Sequence, residues 1–184
     1  ICVSTDDDQI IRVVEQYGLS VPFIRPTELA TDTAGSYGVL LHALSFYESK
    51  GEHFDAVVLL QVTSPFRTVN HVREALNLYN KDLDMVVSVK ETDSNPYYLC
   101  FEEDTEGMLH ISKGDGHYTR RQDCPPVYEY NGAIYIINPE RMKAMPLNKF
   151  KKRVKYVMDR EHSVDLDTMM DWMIAEYMIT NKLV

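Results

Sequence analysis

Residues 56–79 read AVVLLQVTSPFRTVNHVREALNLY. Ala56 to Leu60 is apolar without interruption and β-branched at its start, the pattern of a strand buried on both faces. Gln61 to Arg67 is polar and carries Pro65, which breaks the strand and marks a turn. From Val69 to Tyr79 the apolar residues Val72, Ala75, Leu76 and Tyr79 recur at helical spacing. A second continuous strand, Met85-Val-Val-Ser-Val89, follows directly. Strand, helix and strand in this order make a parallel unit with a right-handed crossover.

The rhythm extends in both directions. Upstream, Ile1 to Ser4 is a short apolar run that stops at Thr5-Asp6-Asp7-Asp8. Gln9 to Tyr17 has helical spacing, with Gly18 placed to end it. Val21 to Ile24 is extended, and Thr33 to Lys50 predicts a helix with Val39, Leu40, Ala43, Leu44 and Tyr47 on one face. Downstream, residues 91–130 are polar and irregular, a long insertion of the kind that carries binding loops. Ala133 to Ile137 and Lys155 to Met158 predict strands, and Met169 to Lys182 a terminal helix. The expectation is a three-layer α/β domain spanning 1–184, with a mostly parallel sheet. Val57–Leu60 and Val86–Val89 are expected as neighbouring central strands. Ligands bind outside the carboxyl ends of such strands. Those ends are Ser4-Thr5-Asp6-Asp7, Gln61 to Pro65, and Ser88-Val89-Lys90.

The totals narrow the function classes. The chain has 184 residues, 45% hydrophobic and 26% charged, which is one globular domain's worth. A net charge of -9 disfavours a nucleic-acid partner, which would need a basic face. No apolar run approaches the roughly 20 residues needed to span a bilayer. The three cysteines are far apart and in no metal-ligand spacing, which fits a reduced, cytoplasmic protein. The chain opens on Ile1 inside an apolar run, so an upstream segment is expected.

Several constellations could carry chemistry. Gln61, Thr63, Ser64 and Arg67 offer amide, hydroxyl and guanidinium groups at a strand end. The same stretch also reads as a plain strand-to-helix turn, with Ser64 or Thr68 as a cap. Arg25 projects from a loop before Pro26. It could meet a phosphate, a ribose or a base edge, or pair with Glu28 or Asp32. Arg120 and Arg121 put two guanidinium forks on one loop, suited to a carboxylate or phosphate, or simply to solvent. Asn131-Gly132 opens a strand, with the glycine allowing close backbone approach. The basic run Lys149 to Lys155 reads as a solvated face or edge-strand guard. In Val164-Asp165-Leu166-Asp167-Thr168, residues i and i+2 of an extended segment aim two carboxylates at one spot. A divalent cation between them would relieve their repulsion. Helix capping by Asp167 accounts for Asp167 alone and leaves Asp165 unexplained.

Six motifs in order now resemble the acylneuraminate cytidylyltransferase family, the CMP-sialic acid synthetase type. They are Ser4-Thr5-Asp6, Arg25-Pro26-x-Glu28-Leu29-Ala30-x-Asp32, Leu59-Leu60-Gln61-x-Thr63-Ser64-Pro65-x-Arg67, Val86-Val-Ser-Val89, Asn131-Gly-Ala-Ile-Tyr135 and Asp165-x-Asp167-Thr168. The match runs from residue 1 to about residue 176. It implies a Rossmann-like nucleotidyltransferase fold, usually a homodimer, whose extension over about 138–162 reaches the partner. It implies Mg2+ and transfer of CMP from CTP to the anomeric hydroxyl of a nonulosonic acid. By position, Asp165 and Asp167 correspond to the metal-binding, catalytic aspartates. Arg25, Gln61, Thr63 and Ser64 fall in the nucleotide and sugar pocket. Arg121 matches a sugar-facing arginine, and Asn131 and Tyr135 lie on the sugar-pocket strand. Two departures stand out. Val62 replaces a usual proline, and the N-terminal Gly-rich triphosphate loop is absent, so the chain as it stands is expected to be poorly active. No side chain is an obvious general base.

Other readings remain. The acceptor could be another 3-deoxy-2-keto sugar acid. The chain could be a non-catalytic nucleotide-binding remnant. It could also be a phospho-receiver domain, since Asp6-Asp7-Asp8 follows a strand, but that reading has no use for the Gln61–Arg67 motif or the distal aspartate pair.

Overall fold

A computed structural model describes residues 1–31 and 33–184; Asp32, one suggested partner of Arg25, lies outside the described residues. The elements alternate much as the sequence suggests. They run α1 (Asp8–Gln16), α2 (Ser36–Glu48), β1 (Val57–Leu59), α3 (Val69–Asn77), β2 (Met85–Glu91), β3 (Phe101–Glu103), β4 (Leu109–Ile111), β5 (Tyr128–Ile137), α4 (Pro139–Ala144), β6 (Arg153–Val157) and α5 (Met169–Thr180). Short 3₁₀ turns lie at Thr27–Leu29, Arg121–Asp123, Leu147–Lys149 and Glu161–Ser163.

The chain divides into two compact units. One comprises residues 1–57 and 137–152, the other 58–136 and 153–184. In the first, Asp7 caps α1 by accepting from the Gln9 and Ile10 amides. The expected strands Ile1–Ser4 and Val21–Ile24 reduce to one parallel bridge between Thr5 and Ile24. Helix α2 buries Leu40 and Leu44, and its Tyr37 hydroxyl donates to the Met142 carbonyl of α4 at 2.8 Å. Met142 and Phe150 are buried within their own chain. Neither has a helical or strand period in the sequence that would bury it, which suggests a partner surface, yet both are buried, Met142 on α4 where that helix meets α2.

The second unit carries a four-stranded sheet in the order β1-β5-β2-β6, with the hairpin β3–β4 apart from it. The sheet is mixed, with mostly parallel core strands. β2 pairs with β6 in parallel, from Met85 opposite Arg153 to Val89 opposite Val157. β2 is the buried strand its sequence announces, with Met85 through Val89 all buried. β1 is not. It is an edge strand separated from β2 by β5, and Val58 is 38% exposed. The two apolar strands are therefore not neighbours, because β5 is inserted between them. In α3, Ala75 is fully buried while Leu76 is exposed.

Candidate active site

The loop after β1 is shaped from within by Arg67. Its Nη1 donates to the carbonyl oxygens of Gln61 at 2.6 Å and Ser64 at 2.7 Å, and reaches that of Ala133 at 3.5 Å. Burial lowers the pKa of this guanidinium, but Arg stays charged. Its fixed fork thus fastens the loop to itself and to β5. Thr68, rather than Ser64, caps α3. Ser64 is wholly buried and donates to the Asn131 carbonyl at 3.4 Å. Val62, the residue standing in the place of a proline, is 89% exposed.

Asn131 sits at the centre of a buried polar network. Its Oδ1 accepts from the Ser88 hydroxyl at 2.6 Å and the Ala133 amide at 3.2 Å. Its Nδ2 donates to the Ser163 hydroxyl at 2.9 Å. Ser88 also accepts from the Ile134 amide at 2.7 Å. These contacts tie β2 and β5 to the segment that leads into Asp165. Asn131 is 3% exposed, so its amide is spent inside the protein and acts by positioning.

Gly132 follows with φ +74, a left-handed conformation that glycine adopts freely. A Cβ there would stand 2.6 Å from Gln61 Oε1, 3.2 Å from Asp165 Oδ2 and 3.3 Å from Ser64 Oγ. Three residues singled out in the sequence therefore converge on one backbone position. Thr63 joins them through its carbonyl, which accepts from the Leu166 amide at 2.9 Å and docks the aspartate segment along the loop.

Asp165 is half-buried, and its Oδ1 is shielded from solvent with no hydrogen-bond partner among the described residues. An orphaned carboxylate oxygen is costly unless something positive or a proton meets it. Asp167 is exposed and does not cap the final helix. Thr168 does so, in a reciprocal box with Asp171. Capping therefore has no claim on either aspartate. Both line a cleft of about 370 Å³ with Lys90, Arg160, Ser163, Val164, Asp171 and Ile174. Its lining combines two cations, Lys90 and Arg160, with three carboxylates. Asp165 and Asp167 are its candidate cation ligands.

Arg121 connects to this cleft indirectly. Its Nη1 lies 2.6 Å from Asp93 Oδ1, and Arg160 Nη2 bonds the same oxygen. The Arg160 hydrogen bond, with the charges of both arginines, holds the Asp93 carboxyl below its usual range. Arg120 instead pairs with Asp123 at 2.8 Å. Tyr135 is half-buried with its ring 6.1 Å from that of Tyr130; burial, then Tyr130 and Asp165, raise its pKa, so the phenol keeps its proton. Arg25 lies in the other unit. Its Nε donates to the Ser4 hydroxyl at 3.2 Å and its Nη2 to the Ser4 carbonyl, which joins two of the sequence motifs.

The sequence offered Arg67 as a ligand-facing group rather than as the residue that fastens its own loop, and it pointed to neither Ser163 nor Arg160. Ser88 had a signal, being the one polar residue in the apolar run Met85–Val89. Arg160 had none, since its partner Asp93 is 67 positions away.

A family model described as Cytidylyltransferase matches residues 1–178. The chain belongs to the cytidylyltransferase family. Among its relatives is the N-acylneuraminate cytidylyltransferase of Streptococcus agalactiae serotype V, 38% identical over 173 residues, covering 94% of this chain and 40% of the relative. Another is the CMP-N,N'-diacetyllegionaminic acid synthase of Legionella pneumophila, 33% identical over 189 residues, covering 96% of this chain and 76% of the relative. The chain thus spans less than half the length of the first of these cytidylyltransferases. A solved CMP:2-keto-3-deoxy-manno-octonic acid synthetase complexed with CTP superposes with a TM-score of 0.64 at 14% identity, covering 98% of this chain and 80% of that one. That likeness bears on the fold, and it agrees with the α/β nucleotidyltransferase architecture. No helix among the described residues is long and apolar enough to cross a membrane.

Proposed function

We propose that this cytidylyltransferase-family protein transfers CMP from CTP to the anomeric hydroxyl of a nonulosonic acid. The anomeric oxygen bonds to the α-phosphorus, the bond from that phosphorus to the bridging oxygen breaks, pyrophosphate leaves, and the hydroxyl proton is lost. The observation that carries this reading is the shielded, unpartnered Oδ1 of Asp165, a residue that meets Gln61 and Ser64 at Gly132 and lines a cleft together with Lys90 and Arg160. The relatives' names, an acylneuraminate cytidylyltransferase and a legionaminic acid synthase, favour a nine-carbon acid as acceptor.

Asp165 and Asp167 fit a Mg2+ ion, because magnesium takes oxygen ligands and is commonly held by one or two carboxylates plus phosphate. When bound, it would neutralise charge on the phosphate oxygens. The chain's own residues do the rest. Arg160 and Arg121, preset by Asp93, supply two guanidinium forks for the sugar carboxylate. Gln61 and Ser64, which meet Asp165 at Gly132, and Thr63, whose carbonyl holds the Leu166 amide, are assigned to the substrate pocket beside it. Tyr135 stays neutral and can donate a hydrogen bond. Arg25 is assigned to the nucleotide. Phosphoryl-type transfer relies on such positioning more than on covalent chemistry. We further propose a homodimer, from the family resemblance, and a cytoplasmic setting, in keeping with free Cys2, Cys100 and Cys124.

The test is incubation with CTP, Mg2+ and a panel of acids: N-acetylneuraminate, legionaminate, pseudaminate and 3-deoxy-manno-octulosonate. CMP-sugar and pyrophosphate are followed by mass spectrometry. Product with a nine-carbon acid is expected. Product with the eight-carbon acid alone moves the acceptor to that class, and CTP binding without product from any acid contradicts catalysis.

A further inference from the structure

We infer that His71, Asp159 and His162 form a second cation site, of the imidazole–carboxylate kind that takes Zn2+ or a similar transition metal. The observation is geometric. One ligand atom from each of the three residues lies within 4.8 Å of the others, and all three belong to the sheet-bearing unit. Tetrahedral zinc at about 2.1 Å from its ligands needs them about 3.4 Å apart. The gap closes by side-chain rotation at positions that are exposed or half-exposed.

The donors are already partly oriented. His162 Nδ1 lies 2.8 Å from Asp159 Oδ1, and the same oxygen accepts from the His162 amide at 2.8 Å. The two donor atoms are thus already adjacent, and a cation taking the place of the proton between them would be held by both. The His71 ring stands edge-on to that of His162 with centroids 4.7 Å apart. Two imidazoles at that distance gain nothing as an ion pair, whereas a shared metal gives both a role. His71 Nδ1 now accepts from the Thr68 amide at 3.2 Å. Coordination through Nε2 would protonate Nδ1 and release that contact. The loss is small, because Thr68 is exposed to water and its hydroxyl still caps the His71 amide at 3.3 Å.

The donor chemistry separates this site from the aspartate pair. Imidazole favours zinc, copper and nickel, while carboxylate and phosphate oxygens favour magnesium. Its place in the chain also gives it a consequence. Metal there would clip the first turn of α3 to residues 159–162, just ahead of Ser163 and Asp165.

The experiment uses chelator-treated protein in excess Mg2+, which saturates oxygen-rich sites. ZnCl2 binding is followed by calorimetry, Co2+ binding by visible absorption, and melting alongside. One equivalent should bind, with a rise in Tm of several degrees at saturation. His71→Ala and His162→Ala should each weaken Zn2+ binding at least roughly tenfold, as loss of a ligand or its orienting partner does. Asp165→Asn should leave it unchanged. His162→Ala leaves the cap of α3 intact, so its effect cannot be ascribed to unfolding of that helix. Absence of binding, a titration that either histidine variant leaves intact, or one that Asp165→Asn abolishes would each overturn the assignment.

Discussion

A side chain at residue 132 would meet three functional groups at once. With φ at +74, Gly132→Ala also forces an L-residue into a region it disfavours. Strain of this kind costs about 1–3 kcal/mol. The methyl must also displace Gln61 Oε1, which stands only 2.6 Å from its position. Gly132→Ala is therefore expected to lower stability by about that amount and to lose activity beyond what unfolding explains, checked by melting and by turnover of the folded fraction. The arginines on Asp93 behave differently. Both side chains are about half exposed, so their removal should leave folding alone. Arg121→Ala and Arg160→Ala should each raise the KM for the sugar acid roughly tenfold or more, with the KM for CTP nearly unchanged. Equal effects on both substrates would contradict a sugar-side placement.

At the scale of elements, the start of α5 separates two roles that adjacent residues could have shared. Thr168 and Asp171 form the capping box, so Thr168→Ala should destabilise by about 1 kcal/mol while sparing Mg2+ dependence. Asp167, one residue earlier, should do the reverse. What could be read from sequence follows the same division between local and distant. β2 was legible because Met85 through Val89 are each buried and each apolar or, at Ser88, internally bonded. The convergence of Gln61, Ser64 and Asp165 was legible as motifs, though not as a geometry around Gly132. β1 was misplaced because apolar character reports burial but not order in the sheet, and its neighbour β5 lies some 70 positions later. Ile1 to Ser4 reads as a strand, yet only Thr5 finds a parallel bridge, to Ile24. The Arg121–Asp93–Arg160 cluster could not be read, since surface ion pairs leave no periodic trace.

At the scale of the whole molecule, association and chemistry remain to be joined. Met142 and Phe150 are satisfied at home, so the proposed homodimer rests on family resemblance. Helix α5 meanwhile leaves Met169, Trp172, Met173 and Tyr177 more than half exposed. Sedimentation should find a dimer at micromolar concentration; a monomer alone would contradict it. The chemistry turns on the two aspartates, which nothing in the fold claims for a structural task. Turnover against Mg2+ concentration for Asp165→Asn and Asp167→Asn in the enzyme is the direct measurement. Asparagine keeps shape and one acceptor oxygen but removes the charge that holds the ion. Each variant should stay folded, with Asp165→Asn no less stable than the parent, yet lose most activity and need more Mg2+. Parent-like turnover with unchanged Mg2+ dependence in both variants would show that the pair holds no metal.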